Sequence, residues 1–504
     1  MAFEAAEKSR IHDNAAVLRL SNDVVLAVPP SLKAITTYVI LEQETWFEWE
    51  LSLLPHLLRP GMTAIDIGAN LGIYGLTMAR LVAPGQVFAY EPASEPRALL
   101  ERSRELNQAF NLQISSSALS DGSREGHLAF GGSTELGKLA DDGPGERVQI
   151  TSLDLEDAKH GWAAPDFVKI DAEGEEERVL AGGAKFFSRH SPLVMFEIMA
   201  GHKLNERLLS IFPSMGYQLY RMLPNTPVLV PIDPDARGNI ELNLFAAKPD
   251  RAQVLAREGL LVESVPEWQP DAKGCSDPLS LWHSQPFAPV FIPMCGDLAA
   301  LDPDYRDALG AYAFWRTLEN PLPERCAALF YAFRSLQALC GREANFARLS
   351  TLARIAWEAG ERFVCVGALE AGINSLKSDS GAITGCEPFW PAGPRFDTVP
   401  ANGRAMVWYL TSVVEQYERI RSLSSFFGGA TTNLEWLSQQ PLASIDMLRR
   451  HVLLAACNGR YAVIPPRLCT PAPDHLNAEV WRTGQVPGTS IGAGTWHQQS
   501  PIGA

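Results

Sequence analysis

The hydrophobic and polar positions divide the chain into a first half with short apolar runs and a second half with helical stripes. From about residue 63 to residue 247, short apolar runs alternate with helical segments, which is typical of a mostly parallel sheet. The last two runs follow one another without a crossover helix, which predicts an antiparallel hairpin at the end of the sheet. The predicted strands are Thr63–Gly68, Gln86–Glu91, Leu112–Ala118, Asp166–Asp171, Leu193–Ile198, Tyr217–Met222 and Ile240–Ala247, and the main helices between them are Ile73–Val82, Pro96–Asn107 and Glu175–Arg189.

Beyond residue 297 the apolar positions recur at helical spacing. Stripes that begin at Leu329, Leu349 and Phe363 predict three consecutive helices, and two more are predicted at Met406–Leu423 and Leu442–Ala456. Two of these helices are joined by a tight glycine turn, as in a tetratricopeptide-like pair, although any helical bundle gives the same pattern. The second half is therefore expected to be mostly α-helical.

Changes in composition divide the chain into five predicted segments. They are an N-terminal lead-in with a helix at Thr45–Leu58 (residues 1–60), the α/β domain (61–249), a connector rich in Pro, Asp and Gly (250–296), the α-helical domain (297–469) and a flexible tail (470–504).

Charge and cysteine usage restrict the partners and the compartment. The 504 residues carry 43 Lys and Arg against 58 Asp and Glu, a net charge of −15, which opposes binding to nucleic acid and to anionic lipid surfaces. The eight cysteines lie between Cys275 and Cys469 without C-x-x-C pairs, as expected of reduced, buried thiols. The N-terminus does not read as a signal peptide, and the longest apolar runs are too short to span a bilayer. We therefore expect a cytoplasmic protein without a membrane span.

A glycine-rich turn after the first strand of the α/β domain carries the most specific signal. An apolar strand ends in Asp66, and Gly68, Asn70 and Gly72 follow in the turn that opens a helix. Glycines here let the backbone approach a bound nucleoside. The next strand ends at Glu91, and an acid at that position can accept both hydroxyls of a ribose. The spacing predicts a nucleoside-binding loop.

The same turn favours S-adenosylmethionine over NAD as the ligand. A dinucleotide loop needs G-x-G-x-x-G, and here Asn70 stands at the middle glycine. Asp66, two residues before the first glycine, would repel a pyrophosphate but suits a ligand with an ammonium group. A purely structural turn in an unrelated α/β domain remains an alternative.

Four motifs in this order resemble the FkbM family of S-adenosylmethionine-dependent methyltransferases. They are D-I-G-A-N-L-G from Asp66, E-P from Glu91, A-L-S-D at Ala118–Asp121 and K-I-D-A-E-G-E-E at Lys169–Glu176, and the resemblance covers about residues 45–247. It implies a class I, Rossmann-like fold with a seven-stranded sheet whose last strand is antiparallel, and O-methylation of hydroxyl groups. It also implies residue roles: Asp66, Gly68 and Asn70 bracket the methionine part of the cofactor, Glu91 holds the ribose, and the turn from Ala118 to Asp121 borders the adenine.

Two positions depart from the family pattern. Family members often carry Val where Ala172 stands, and often a histidine shortly after the fifth strand, a place that His202 does not clearly occupy. His202 is a candidate general base, although a lone loop histidine is more often a surface residue. No family resemblance extends beyond about residue 249.

Three carboxylates are the candidate catalytic residues, because ligands of parallel sheets bind at the carboxyl ends of the strands. Asp171 ends the fourth strand, Glu173 follows it, and Glu197 lies near the end of the fifth. Asp171 is the first choice, as general base or acceptor-binding group. An alternative role of Glu173 is to cap the helix that follows it. An alternative role of Glu197 is to form an ion pair with Lys169. A divalent ion between Asp171 and Glu173 remains an alternative, but no metal ligand is predicted.

Aromatic side chains near the cofactor are weaker candidates. Trp46 and Tyr74 are possible contacts of the cofactor or the acceptor, since an aromatic face near a sulfonium is favourable. In the helical half, four aromatic residues are possible sugar-stacking platforms, with core packing as the more common use: Trp315, Phe389, Trp390 and Trp408.

The sequence thus predicts an S-adenosylmethionine-dependent methyltransferase that methylates a hydroxyl of a sugar, glycan or secondary metabolite by in-line transfer. The helical half is expected to bind a protein partner, to form a homodimer or to recognise a glycan. Two alternatives stay open: a non-catalytic helical scaffold with a lapsed methyltransferase core, and an NAD-dependent enzyme on a similar sheet.

Overall fold

The computed structural model describes residues 14–130, 137–140, 143–200, 203–232, 242–268, 278–378, 387–429, 431–458 and 464–483. The chain divides into two compact units. The first comprises residues 1–221, 241–261 and 452–504, and the second comprises residues 222–240 and 262–451.

The first unit begins with an antiparallel hairpin of β1 (Ala16–Arg19) and β2 (Val25–Val28). The large sheet then uses β3 (Thr63–Ile67), β4 (Gln86–Tyr90) and β5 (Leu112–Ser115). A second, four-stranded sheet follows from β6 (Ala118–Leu119), β7 (Arg124–Phe130), β8 (Gly137–Ala140) and β9 (Glu146–Thr151). The remaining strands are β10 (Phe167–Ile170), β11 (Leu193–Glu197), β12 (Met199–Ala200), β13 (Lys203–Leu204), β14 (Gln218–Met222), β15 (Leu229–Pro231) and β16 (Asn243–Ala247).

The large sheet has eight strands in the order β15-β14-β16-β11-β10-β3-β4-β5. The five strands from β11 to β5 are parallel to one another, and β16 is antiparallel to both β11 and β14. The predicted α/β fold with a terminal antiparallel pair is therefore confirmed. The predicted count of seven strands is not, because the short strand β15 adds an eighth, too short to show as an apolar run.

The helices of the first unit precede, separate and follow the strands of the large sheet. Their bounds are Ile35–Gln43, Leu54–Leu57, Ile73–Val82, Ser94–Leu106, Leu153–His160, Glu176–Gly182, Ala184–Arg189, Leu208–Ser214 and Pro249–Arg257. The helix predicted at Glu175–Arg189 is in fact two short helices. The break falls at the glycine pair Gly182-Gly183, where a Cβ on Gly182 would lie 2.1 Å from the carbonyl oxygen of Ser120.

Two further predictions for the first unit are wrong. The helix predicted at Thr45–Leu58 is a 3₁₀ turn at Trp49–Leu53 followed by the short helix Leu54–Leu57. The span between β5 and β10 holds the four-stranded sheet in addition to a helix. Its order is β6-β9-β7-β8, with β7 antiparallel to both β8 and β9.

The second unit is helical, as predicted for the second half of the chain. Its helices are Pro278–His283, Ala288–Phe291, Pro303–Arg316, Leu322–Arg342, Phe346–Glu358, Arg362–Ser378, Ala405–Ile420, Ser425–Gly428 and Thr432–Ser438, and Ile445–Cys457 continues into the first unit. Phe389 is 0% exposed and Trp390 is 1% exposed. These two rings belong to the core, so they are not an exposed platform for sugars.

The C-terminal residues 464–483 belong to the first unit and contain the helix Ala478–Thr483. The carboxylate of Glu44 accepts hydrogen bonds from the backbone N–H groups of Leu476 (2.7 Å) and Asn477 (2.9 Å). The described part of the predicted flexible tail is thus ordered against the N-terminal segment, and the rest of it lies outside the described residues. In the described part of the chain, no helix is both long and apolar enough to cross a bilayer.

Candidate active site

The loop after β3 is shaped by backbone conformations that few side chains allow. Gly68 has φ +77°, and a Cβ there would lie 1.7 Å from the carbonyl oxygen of Asp171. Only glycine lets the end of β3 approach the end of β10 this closely. Asn70 also has a positive φ, +48°, which asparagine tolerates better than most residues. The loop after β3 therefore packs directly against the carboxyl end of β10.

Gly72, also predicted to contact the cofactor, lies at the start of the helix that follows the loop. It has φ +92° and precedes the helix Ile73–Val82, where a Cβ would lie 2.2 Å from Cδ1 of Leu100. It does not line the pocket at the strand ends. Gly72 lets the helix pack closely beside the helix Ser94–Leu106.

The loop opens onto a pocket with about 690 Å³ of space that is open to solvent. The ends of β3, β4 and β10 form its floor, and β7 and β8 of the four-stranded sheet form one wall. The pocket is lined by Ile67, Gly68, Asn70, Tyr90, Glu91, Pro92, Ala93, Pro96, Ala118, Leu119, Leu128, Gly137, Leu139, Asp171, Ala172, Glu173 and Glu175. Four of these residues are acidic and none is Lys, Arg or His, so the described lining is strongly negative.

Glu91 is held rigidly at the end of β4. Its Oε2 accepts the backbone N–H of Asn70 and its Oε1 accepts that of Ala93, both at 2.8 Å. Burial raises the pKa of Glu91 to about 7, although the two backbone hydrogen bonds and the Arg97 charge oppose the shift. Each carboxylate oxygen keeps a second lone pair for a ligand hydroxyl. This geometry is compatible with the predicted ribose contact.

Asp66 lies below the pocket rather than in its lining. Its side chain is 0% exposed, and no side chain of the described residues donates a hydrogen bond to either carboxylate oxygen. Burial raises its pKa to about 6, the Lys169 charge opposes the shift, and the Asp171 charge adds to it. Asp66 can act on a ligand in the pocket through its charge, and it shapes the floor under the loop.

The three predicted catalytic carboxylates converge. Asp171 and Glu173 line the pocket, and Glu197 ends the neighbouring strand β11. The pKa of Glu197 is raised to about 10. Burial is the main cause, and the charges of Asp171 and Glu173 and a hydrogen bond with Asp171 act in the same direction. Burial raises the pKa of Glu173 to about 7, with further contributions from the charges of Asp171 and Glu176. Glu197 therefore holds a proton at neutral pH, while Glu173 titrates there.

Lys169 pairs with Asp171 instead of Glu197. The Lys169 Nζ lies 2.7 Å from the Asp171 Oδ2. The lysine thus forms an ion pair as predicted, but its partner is Asp171. Glu173 is also not the cap of the following helix. The N-cap position is Glu175, and the Oε1 of Glu176 accepts the backbone N–H groups of Ala172 (3.0 Å) and Gly174 (3.1 Å) in the loop before the helix.

The two ends of the predicted adenine turn differ. Ala118 lines the pocket. Asp121 does not: its side chain is 43% exposed and pairs with Arg124 at 2.5 Å, a hydrogen bond that lowers its pKa. Sequence reasoning missed Leu128 and Leu139, which form the apolar wall of the pocket. The alternation in Arg124–Phe130 and Glu146–Thr151 was the available signal for this sheet.

The weaker candidate residues do not line the pocket among the described residues. Tyr74 is only 5% exposed and does not line the pocket, and the ring of Trp46 lies 4.5 Å from that of its neighbour Phe47 at an angle of 39°. His202 lies outside the described residues. Within the described ranges, no group of three or more His, Cys, Asp or Glu is arranged to hold a metal ion.

The mixed sheet and the carboxylate-flanked glycine loop at its centre are typical of an α/β domain that binds a nucleoside. Residues 66–219 match the family model described as the Methyltransferase FkbM domain, which confirms the resemblance for this segment. The family implies S-adenosylmethionine as the methyl donor.

Individual relatives match parts of the chain. The 31-O-demethyl-FK506 methyltransferase FkbM of Streptomyces tacrolimicus is 32% identical over 161 residues, covering 25% of this chain and 60% of that protein. The chain thus spans less than two thirds of the length of this curated relative. The methyltransferase FkbM from Methylobacillus flagellatus KT is 18% identical with a TM-score of 0.26, covering 37% of this chain and 43% of that one. A SAM-dependent O-methyltransferase from Thermotoga maritima is 16% identical with a TM-score of 0.25, covering 44% and 73%.

The residues of the pocket fit this cofactor. S-adenosylmethionine combines a ribose with two positive charges, on its sulfonium and its ammonium group. The pocket offers a rigid carboxylate at Glu91, and the carboxylates of Asp171 and Glu173 in its lining. A nucleotide with a pyrophosphate would instead meet these negative charges without a described lining cation to neutralise it.

Proposed function

We propose that the chain is an S-adenosylmethionine-dependent methyltransferase that methylates a hydroxyl group of a sugar, glycan or secondary metabolite. One observation supports this most: the rigid Glu91 and the glycine loop share a single pocket with Asp171 and Glu173. A nucleoside site and a pair of acids suited to proton transfer therefore lie within one cavity. The match to an FkbM methyltransferase domain points in the same direction.

The chain's own residues would hold the cofactor in three places. Glu91 would accept the ribose hydroxyls, because its position is already fixed by two backbone hydrogen bonds. The backbone around Gly68 would approach the methionine part, and the acids under the loop would attract its positive charge. Leu128 and Leu139 would cover the apolar face of the ligand beside Ala118. When bound, the cofactor supplies a methyl group on a positively charged sulfur, ready for in-line displacement.

Glu173 would take the proton of the acceptor hydroxyl as the new C–O bond forms. A general base works best when its pKa lies near the working pH, and burial holds that of Glu173 at about 7. Glu197 is unsuited to this step because its pKa of about 10 keeps it protonated. It instead donates to Asp171, which leaves Asp171 as an acceptor that can orient the substrate hydroxyl.

The finer assignments are also proposals. We propose residues 61–249 as the catalytic domain, residues 297–469 as a helical domain for a partner or a second copy, and the cytoplasm as the compartment. Four cysteines of the described residues, Cys340, Cys365, Cys457 and Cys469, are free thiols, which suits a reducing compartment. The net charge of −15 supports an acceptor other than nucleic acid.

The proposal is tested in two stages with the full-length chain. Calorimetry with S-adenosylhomocysteine comes first, with NADH as the competing ligand. A screen of glycan and metabolite extracts with methyl-labelled S-adenosylmethionine follows, and the labelled products are examined for O-methyl groups. We expect micromolar binding of S-adenosylhomocysteine, no heat with NADH and label in a hydroxyl-bearing product.

The variant Glu173→Gln separates catalysis from binding. We expect it to bind S-adenosylhomocysteine as the wild type does and to lose at least a hundredfold in kcat. Glu177→Gln is the matched control, since Glu177 lies in the same stretch but pairs with Arg207 at 3.1 Å outside the pocket. If the chain binds S-adenosylhomocysteine but gives no labelled product, the non-catalytic scaffold is favoured. If it binds NADH tightly and does not bind S-adenosylhomocysteine, the NAD-dependent enzyme is favoured.

A further inference from the structure

A buried lysine under the pocket floor is not explained by cofactor binding or by proton transfer. Lys169 lies on the central strand β10 and is 4% exposed. Removing an ammonium group from water is costly unless opposite charges surround it. The groups around Lys169 therefore show what its charge does.

Each element packed against Lys169 presents an acid or an aromatic ring. On its own strand, the Asp171 Oδ2 lies 2.7 Å from the Lys169 Nζ, and on β3 the residue in register with Lys169 is Asp66. From the helix Ile73–Val82, the ring centroid of Tyr74 lies 4.9 Å from Nζ. Glu197, at the end of the neighbouring strand β11, hydrogen-bonds Asp171.

One further acid in this network comes from a segment outside the domain that matches the family model. Tyr74 donates a hydrogen bond of 2.7 Å from Oη to the Oε2 of Glu48, which precedes the 3₁₀ turn Trp49–Leu53. The family match begins only at residue 66. The N-terminal segment thus supplies an acid to the network behind Asp171.

We propose that Lys169 is a positioning residue that holds one carboxylate oxygen of Asp171, and that Glu48 and Tyr74 fix Lys169 from behind. This inference rests on the proposed function, because it gives the network a purpose in cofactor and acceptor binding. With Oδ2 tied to Lys169, the remaining oxygen of Asp171 is available to the pocket and to Glu197. Glu48 thereby becomes part of the active site, although it does not line the pocket.

The charges have opposite effects that an experiment can separate. The Lys169 charge lowers the pKa of both Asp66 and Glu48, and the Glu48 charge raises that of Asp66. Burial lowers the pKa of Lys169, but the charges of Asp171, Asp66 and Glu48 outweigh it and raise the pKa above its usual range. Removing Lys169 should therefore make Asp66 harder to ionise, and removing the Glu48 charge should make Asp66 easier to ionise.

The test measures the Kd of S-adenosylmethionine by calorimetry between pH 5 and pH 8.5 for the full-length chain. The cationic ligand needs ionised acids, so its affinity should fall below an inflection pH. In Lys169→Met we expect this inflection to move up by about one pH unit or more. In Glu48→Gln, which keeps an oxygen for the Tyr74 hydroxyl, we expect it to move down. Lys185→Met, at an exposed lysine, should match the wild type.

Opposite shifts would support the positioning role, because a mere packing defect lowers affinity equally at every pH. Unchanged inflections in both variants, or shifts of the same sign, would overturn it. If Lys169→Met fails to fold, Glu48→Gln still decides, since an inflection that stays or rises there contradicts the proposal. Wild-type chain that binds no S-adenosylmethionine at any pH would instead overturn the proposed function, and this inference with it.

Discussion

Gly68 and Asp171 meet at the centre of the sheet with no room for a side chain between them. A Cβ on Gly68 would lie 1.7 Å from the carbonyl oxygen of Asp171, and the φ of Gly68 is +77°. This contact joins the end of β3 to Asp171, the residue that we propose to orient the acceptor. Gly68 therefore also sets the position of Asp171, one of the proposed catalytic acids.

The first prediction concerns this contact. Gly68→Ala should lower the free energy of unfolding by at least about 2 kcal/mol, because a left-handed conformation and a backbone clash are both imposed. Binding of S-adenosylhomocysteine should fall below detection. Urea unfolding and calorimetry measure the two effects. Gly310→Ala is the control, since nothing lies within 4 Å of its Cβ position in the helix Pro303–Arg316, and it should stabilise by about 0.5–1 kcal/mol. Equal behaviour of the two variants would contradict the prediction.

The second prediction concerns Glu91. Both of its oxygens accept backbone N–H groups, so in Glu91→Gln the amide would turn an N–H group toward one of these donors. We expect the Kd of S-adenosylhomocysteine and that of adenosine to rise by a similar factor of at least ten, as both carry the ribose. Glu105→Gln, on an exposed position of the helix Ser94–Leu106, should change neither value. If only the affinity for S-adenosylhomocysteine fell and that for adenosine did not, Glu91 would not be the residue that contacts the ribose.

Much of the fold follows from local signals in the sequence. The helix Ile73–Val82 was predicted with its observed bounds because apolar periodicity and the preceding glycine agree. The four-stranded sheet was missed because its strands carry the polar residues of a half-exposed surface between the buried Gly126, Leu128, Val148 and Ile150. Short alternating strands inside a βα pattern are hard to separate from loops.

In the candidate site, too, some features follow from local signals in the sequence and others do not. The sequence predicts that Asp171, Glu173 and Glu197 lie near one another, because strand ends of a parallel sheet share one edge, a rule that needs no side-chain geometry. The partner of Lys169 and the contribution of Glu48 depend on strand register and on a contact between Tyr74 and a segment 26 residues earlier. Spacing along the chain carries no information about such contacts.

The third prediction follows from the buried acids. The pKa of Asp66 is about 6 in the folded chain against 3.8 for an exposed Asp, so the folded state binds protons more tightly. Without cofactor, stability should therefore fall as the pH rises from about 4 through 6, and the part due to Asp66 amounts to roughly 2–3 kcal/mol. In Asp66→Asn the fall should be smaller by about that amount. Urea unfolding at pH 4 and pH 7.5 measures the difference, and parallel curves for the two proteins would contradict it.

The last prediction concerns the carboxylate of Glu44, which fixes the C-terminal segment. It accepts the backbone N–H groups of Leu476 and Asn477, and His475 lies 3.5 Å away through its Nδ1. Glu44 is 3% exposed, so its removal leaves buried donors without an acceptor, at a cost of about 2–4 kcal/mol. We expect Glu44→Ala to speed amide exchange and proteolysis within residues 464–483. Glu479→Ala, which removes an exposed pair with Arg482, should leave both unchanged. If Glu44→Ala kept wild-type protection there, the segment would be held by the packing of Trp481 and Val480 rather than by this carboxylate.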